Sequence, residues 1–287
     1  MSFLQGERLA ELLELSQRPW NAAWNHQAAA FSNEPSTTSL PGGLRITLLS
    51  PSHDELRRLA KKWDDARRKM EMRRQAEAEE KPSFEAASFS LDAEEAEEAE
   101  DDEAPPEPVR KKAPKPPKER TSRDVEWLAQ RPFRTDSSIP NLSSIAFLAE
   151  HEGTAVLIGG DARAGRLARS IAALLAQRSL KRLPLDAFVV PQAGSQRNLS
   201  IELLEQLDCR RYLFSTHGKY HLPDRVTVAR ILVHGRPSRG AGPLLVFNYR
   251  SEANEVWESQ ELQKQYRYRA IYPPPNEEGI KVALRSS

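Results

Sequence analysis

The sequence predicts an α/β fold broken by one long disordered insertion. Three observations carry that prediction. From Ile145 onward, apolar runs of strand length alternate with stretches of helical period, at the spacing of βαβ units. Two of those runs, Ile145–Ala149 and Ala155–Ile158, flank the short turn His151-Glu152-Gly153-Thr154, a β-hairpin signature. Between about Arg74 and Arg120 the chain changes material, first acidic and alanine-rich, then basic and proline-rich. The boundaries follow: an N-terminal part over 1–72, a disordered insertion over 73–122 and an α/β half over 123–287.

Gly6 to Gln17 predicts a short helix with Leu9, Leu12 and Leu13 on its apolar side. Arg18-Pro19 ends it, because a residue before proline disfavours the α region. Trp20 and Trp24, four apart, would share a helical face and anchor it on a core. Ser32 to Gly43 is a loop by composition. Leu44–Leu49 alternates and then becomes continuously apolar, so it predicts a strand. Ser52-His53-Asp54-Glu55 is a capping box that opens a helix striped by Leu56, Leu59 and Trp63.

The insertion cannot bury enough apolar surface to offset the entropy of ordering it. Its basic part, residues 110–123, offers cations to nucleic acid, although the neighbouring acidic block could pair with them in cis. Order returns at Arg123. After the hairpin come helix Ala164–Gln177, strand Leu185–Val190, a helix capped by Asn198 or Ser200, and strand Tyr212–Thr216. A helix capped by Asp224 follows, then strand Leu244–Tyr249, a helix through Trp257 and Leu262, and a last strand Ile280–Leu284.

Composition bounds function loosely. The 287 residues carry a formal net charge of +1, which hides the local asymmetry of the insertion. Cys209 is the single cysteine, so no internal disulfide exists, which fits a reducing, cytoplasmic setting. It lies between an apolar helix and a strand, as a small packing residue would. No apolar run is long enough to span a membrane.

Chemistry is expected where strands end. Gly159-Gly160-Asp161 follows the second hairpin strand and precedes a helix. Asp161 can be read as a helix N-cap, or as an acid at the strand edge where α/β proteins hold ligands. Two further loops, Pro191–Ser195 and Ser215–Asp224, end at the same edge. A triad of Ser195, His221 and Asp161 finds no support, since no G-x-S-x-G elbow is present.

Taken in order, Asn141-Leu142-Ser143-Ser144, Gly160-Asp161, Pro191-Gln192-Ala193-Gly194-Ser195, Ser215-Thr216-His217-Gly218 and His221-Leu222-Pro223-Asp224 resemble the second half of the metallo-β-lactamase superfamily. The nearest likeness is to its competence-protein and bacterial defence members, and Gly42–Trp63 shares it. The resemblance implies an αββα sandwich, present here in part, and hydrolysis by zinc-activated water, for instance of phosphodiester or nucleic-acid substrates. It implies metal-ligand roles for Asp161, His221 and His217. It also implies that the first strands come from elsewhere, either a partner protein or a missing N-terminal half.

The departures bear on activity. The superfamily's His-x-His-x-Asp-His motif is absent, and the expected His-His pair is Gln192-Ala193. A catalytic zinc site takes three protein ligands plus water. The expectation is therefore a degenerate protein with no catalytic residues, acting as a scaffold or binding subunit, with zinc as the cofactor only if enough ligands survive. The alternative is a metal-dependent hydrolase whose site a partner chain completes.

Overall fold

The computed structural model describes residues 3–16, 21–24, 27–32, 34–79, 124–238, 240, 242–275, 277 and 279–284. The chain divides into two compact units, Met1–Ala28 with Arg57–Pro116, and Ala29–Leu56 with Pro117–Ser287.

The first unit holds helix α1 (Phe3–Leu15) and most of helix α2 (His53–Glu79). The two helices approach at Gly6, where a Cβ would stand 2.3 Å from the Trp63 ring. Leu9, Leu12 and Leu15 nonetheless stay exposed. Trp24 ends a single 3-10 turn, Ala22–Trp24, while Trp20 lies outside the described residues. Helix α2 runs on past Met72 to Glu79. The rest of the expected insertion, with its basic arm at 110–123, lies outside the described residues.

The second unit is mixed α/β, built on an eight-stranded sheet. Its strands are β1 (Thr37–Ser39), β2 (Arg45–Ser50), β3 (Ala146–His151), β4 (Thr154–Ile158), β6 (Ala187–Val189), β8 (Arg211–Phe214), β9 (Leu244–Phe247) and β10 (Arg269–Ile271), in that spatial order. Pairing is antiparallel from β1 to β4 and parallel from β4 to β10. Strands β5 (Leu183–Leu185) and β7 (Leu207–Cys209) form a separate parallel pair. Among the described residues no helix is long and apolar enough to cross a membrane.

Local chemistry explains most of these elements. The β3–β4 hairpin turns through Glu152 (φ 45°) and Gly153 (φ 78°), and two positive φ values in a two-residue loop match the twist of the strands. Strands β2 and β3 are neighbours, with Leu48 opposite Phe147, so the long excursion between them leaves the sheet unbroken. The capping box forms as the sequence predicts: Glu55 Oε2 accepts from Ser52 N at 2.7 Å and from Ser52 Oγ at 2.8 Å. Arg166 then pairs with the same carboxylate at 3.4 Å.

Two strands depart from expectation. Thr37–Ser39, inside the predicted loop, adds an edge strand to β2. The last strand is Arg269–Ile271, parallel to β9, whereas 280–284 is not a strand.

The core lies on one face of the sheet. Helices α3 (Val125–Ala129), α5 (Ala164–Arg178), α6 (Ile201–Glu205) and α7 (Arg225–His234) share it with Leu148, Leu157, Phe188, Tyr212 and Leu245. Tyr212 OH donates to Gly235 O at 2.6 Å, beyond the end of α7. Ser170 Oγ of α5 donates to Leu49 O at 2.7 Å. The remaining helices are α4 (Ile139–Leu142) and α8 (Gln260–Tyr266).

The opposite face is also apolar. Residues paired across a sheet share a face, and the register links Leu48, Phe147, Ile158, Val189, Leu213, Val246 and Ile271 across seven strands. None of the seven belongs to the core that the helices cover. Phe147, Ile158, Val189, Leu213 and Ile271 remain partly open, whereas Leu48 and Val246 are buried.

Candidate functional site

Strands β4, β6 and β8 are parallel neighbours, so the loops that follow them meet at one edge of the sheet. Asp161 follows β4, Pro191–Ser195 follows β6, and His217 and His221 follow β8.

The turn before Asp161 is possible only with glycine. Gly160 has φ +53°, and a Cβ there would lie 2.5 Å from Ile145 O and 2.7 Å from Ser144 Oγ. Ala162 and Arg163 stand between Asp161 and the helix. The N-cap of α5 is Arg163, with no side-chain cap bond, so Asp161 is not the cap that its sequence position allowed. Its backbone is pinned instead: Asp161 N donates to Ser144 Oγ at 2.9 Å, and Asn198 Nδ2 donates to Asp161 O at 3.0 Å.

A second acid stands near by that the sequence reading passed over. Asp136 is buried, its Oδ1 accepting from Ser138 N at 2.9 Å and its Oδ2 from Asn141 Nδ2 at 2.6 Å. The signal was present as an Asx turn, an aspartate bonding the N–H two residues on, just before Ile139-Pro140. Asp161 is exposed, but desolvation at its carboxyl, and then the Asp136 charge, raise its pKa above the ordinary carboxylate value. The sign for stability follows. Where a folded carboxyl holds its proton to higher pH than the unfolded one, stability falls as pH rises through that window, from about 3.8 upward. Asp161→Asn is therefore expected to stabilise the protein at pH 7 and to change nothing at pH 3. Urea unfolding at the two pH values checks this, and a loss of stability at pH 7 would contradict it.

The loop after β6 is held in unusual backbone. Gln192 (φ 44°, ψ 54°) and Ala193 (φ 51°, ψ 19°) are both left-handed, a conformation that costs non-glycine residues on the order of 1–3 kcal/mol each. Gln192 N donates to Gly160 O at 2.7 Å, which ties this loop to the Asp161 turn. Gly194, at φ +92°, lets it meet the next loop, since a Cβ would stand 2.6 Å from Pro223 Cβ. Asp224 occupies the N-cap position of α7 but makes no cap bond, and its Oδ2 accepts from Gln196 N at 2.8 Å instead. The cap expected from Asn198 or Ser200 is Ser200, whose Oγ accepts from Leu203 N at 3.2 Å.

Among the described residues, His217, His221 and Asp161 do not gather into a three-residue donor group. His217 is exposed, its ring edge-on to Tyr249 with centroids 6.2 Å apart. His221 is exposed in left-handed backbone (φ 58°). It lines a cleft of about 680 Å³ with Gln196, Asp224 and Glu255, and Asp161 is not in that wall. Among the described residues no three His, Cys, Asp or Glu side chains gather as a metal-holding group. Asn198 Oδ1, buried and without a donor, adds one neutral oxygen near the Asp161 backbone. Asp161, Asp136 (already accepting from Ser138 N and Asn141 Nδ2) and one amide oxygen offer no imidazole or thiolate, the donors on which zinc sites are mostly built, so the described residues do not fit that ion. Cys209 is buried, and desolvation pushes its thiol pKa far up, which suits packing and not nucleophilic attack.

Comparison with protein-family models, with curated proteins and with solved structures gives no match.

Proposed function

We propose that this chain is a degenerate metallo-β-lactamase-like protein, a non-catalytic binding or scaffold subunit of the cytoplasm whose open sheet face receives a second β-sheet. One observation carries the reading: the apolar row from Leu48 to Ile271 lies on the side of the sheet away from its helices. A contiguous apolar surface of that kind marks an interaction site. The carboxyl-edge loops agree with it. They run in the order the superfamily resemblance implies, yet their sparse donors leave them as struts between strands.

Metal content tests the non-catalytic part. Protein incubated with excess zinc and then desalted should retain far less than one ion per chain, and Asp161→Ala should leave that amount unchanged. Stoichiometric zinc lost on Asp161→Ala would sink the reading.

That outcome would favour the other one, a metal-dependent hydrolase of phosphodiester or nucleic-acid substrates completed by a partner's ligands. A single observation supports it: the Asp161 carboxylate has no cap bond to make at α5.

A further inference from the structure

We propose that helix α2 is a nucleic-acid-binding element that seats its basic face in the major groove of double-stranded DNA. Between Arg57 and Arg74 the helix carries nine arginines and lysines against three acids, Asp64, Asp65 and Glu71, which leaves +6 on 18 residues. The whole chain carries only +1. All nine cations are exposed, and the stretch lies wholly in the first unit.

The cations are gathered on one side. At about 100° per residue, seven of the nine fall within an arc of about 160°. Arg57, Lys61 and Arg68 border it on one side, and Lys62 and Arg73 on the other. Of the three acids only Asp65 shares that arc. Arg57 with Lys61, Arg58 with Lys62 and Lys69 with Arg73 are like charges four apart. Such pairs destabilise a helix in water, and a helix merely kept soluble would alternate its signs. A polyanion along the face turns the same spacing from a cost into a gain. From Arg57 to Arg74 the helix extends about 25 Å, against one duplex charge per about 1.7 Å of axis.

Charge complementarity selects a polyanion, and the shape and composition of α2 select DNA among them. An α-helix with its side chains is about 10–12 Å across, and the major groove of B-DNA is about 12 Å wide. The major groove of A-form RNA is too narrow for it. Single strands are held by stacking on aromatic rings. The one Trp, Tyr or Phe of α2 is Trp63, which is half-buried beside Gly6 of α1 and lies on the apolar stripe, away from the basic face. A membrane-surface helix sinks its apolar face into lipid, whereas the stripe of Leu59, Trp63, Ala66 and Met70 is half-buried within the chain. Contacts of this kind go to phosphates and carry no sequence preference. The basic face shares no residue with the open sheet face.

Fluorescence anisotropy of the full chain with a labelled DNA duplex of about 24 base pairs tests this. A dissociation constant in roughly the micromolar range is expected at about 100 mM salt. Log K should fall against log salt with a slope of about −6, at about 0.9 for each of seven phosphate contacts. Arg58→Gln with Lys61→Gln and Arg68→Gln should weaken binding at least about tenfold and flatten the slope to about −3.5. All three positions are exposed and glutamine is a comparable helix former, so circular dichroism should stay unchanged. Lys111→Gln with Lys112→Gln and Lys115→Gln, in the basic proline-rich stretch, should weaken binding less than about threefold. No binding even at about 20 mM salt, or a larger loss from the second triple than from the first, would overturn the assignment to α2. Equal or tighter binding of the matching single strand would overturn the seat in the groove. Tighter binding to phosphatidylserine vesicles than to the duplex would make α2 a membrane-surface helix and refute the proposal.

Discussion

Replacing Arg230 with methionine is expected to lower the unfolding free energy by about 3–5 kcal/mol. Arg230 sits in the middle of α7, is 1% exposed, and faces no carboxylate at hydrogen-bond distance. Its fork serves the backbone instead. Nη1 donates to Gln196 O at 2.8 Å and Leu199 O at 2.9 Å, and Nη2 donates to Arg131 O at 3.0 Å. The guanidinium also lies over the Phe133 ring, 5.4 Å from its centroid. One side chain thus ties α7 to the segment after α3 and to the loop after β6. Methionine keeps the length but strips three carbonyls of their donor, and each buried polar group left bare costs about 1–3 kcal/mol. Relaxation of the loops returns part of that sum. Arg230→Lys should recover less than half, because an ammonium is a compact point charge without the planar fork. Urea unfolding followed by circular dichroism measures both variants. A loss under about 1 kcal/mol for the methionine variant would mean that the loops hold without this clamp.

Arg230 also shows where reading the sequence stops. Val226-Thr227-Val228-Ala229-Arg230-Ile231-Leu232 predicts a helix correctly, and an arginine in such a run is ordinarily assigned to the solvent side. Every one of those seven residues is buried, so the helix has no solvent side for it there. Its partners are carbonyls 31 to 99 residues away in the chain, which no local period reveals. The hairpin was legible for the opposite reason, since both its turn and its pairing are local. Strand β1 was hidden because three Ser/Thr residues at a sheet edge look like loop. Strand β10 was hidden because it is short and joins β9 from the far side of α8.

The site was legible in its positions and less so in its roles. Three carboxyl-edge loops were correctly placed by the alternation of strands and helices. Asp161 has no cap role because Ala162 and Arg163 continue the turn before the helix begins at Ala164. Asp136, which bears on Asp161 electrostatically, lies 25 positions earlier, a separation that no local pattern bridges. The runs at β4, β6 and β8 are apolar on both sides of the strand period, which predicts strands. The fold separates that property into two faces, one covered by helices and one left partly open.

Neighbouring residues on β6 measure that separation directly. Phe188→Ala is expected to cost about 3–5 kcal/mol, because its ring is fully buried and meets Tyr212 edge-on at a centroid distance of 6.2 Å. Val189→Ala, one position on, removes methyl groups from the partly open face and should cost under about 1 kcal/mol in dilute solution. The contrast comes from side-chain direction, since the two residues are adjacent in one strand and point to opposite faces. Denaturant unfolding of both variants measures the contrast. Equal costs for the pair would mean that both faces are covered within a single chain, and the assignment of an open interaction face would fail.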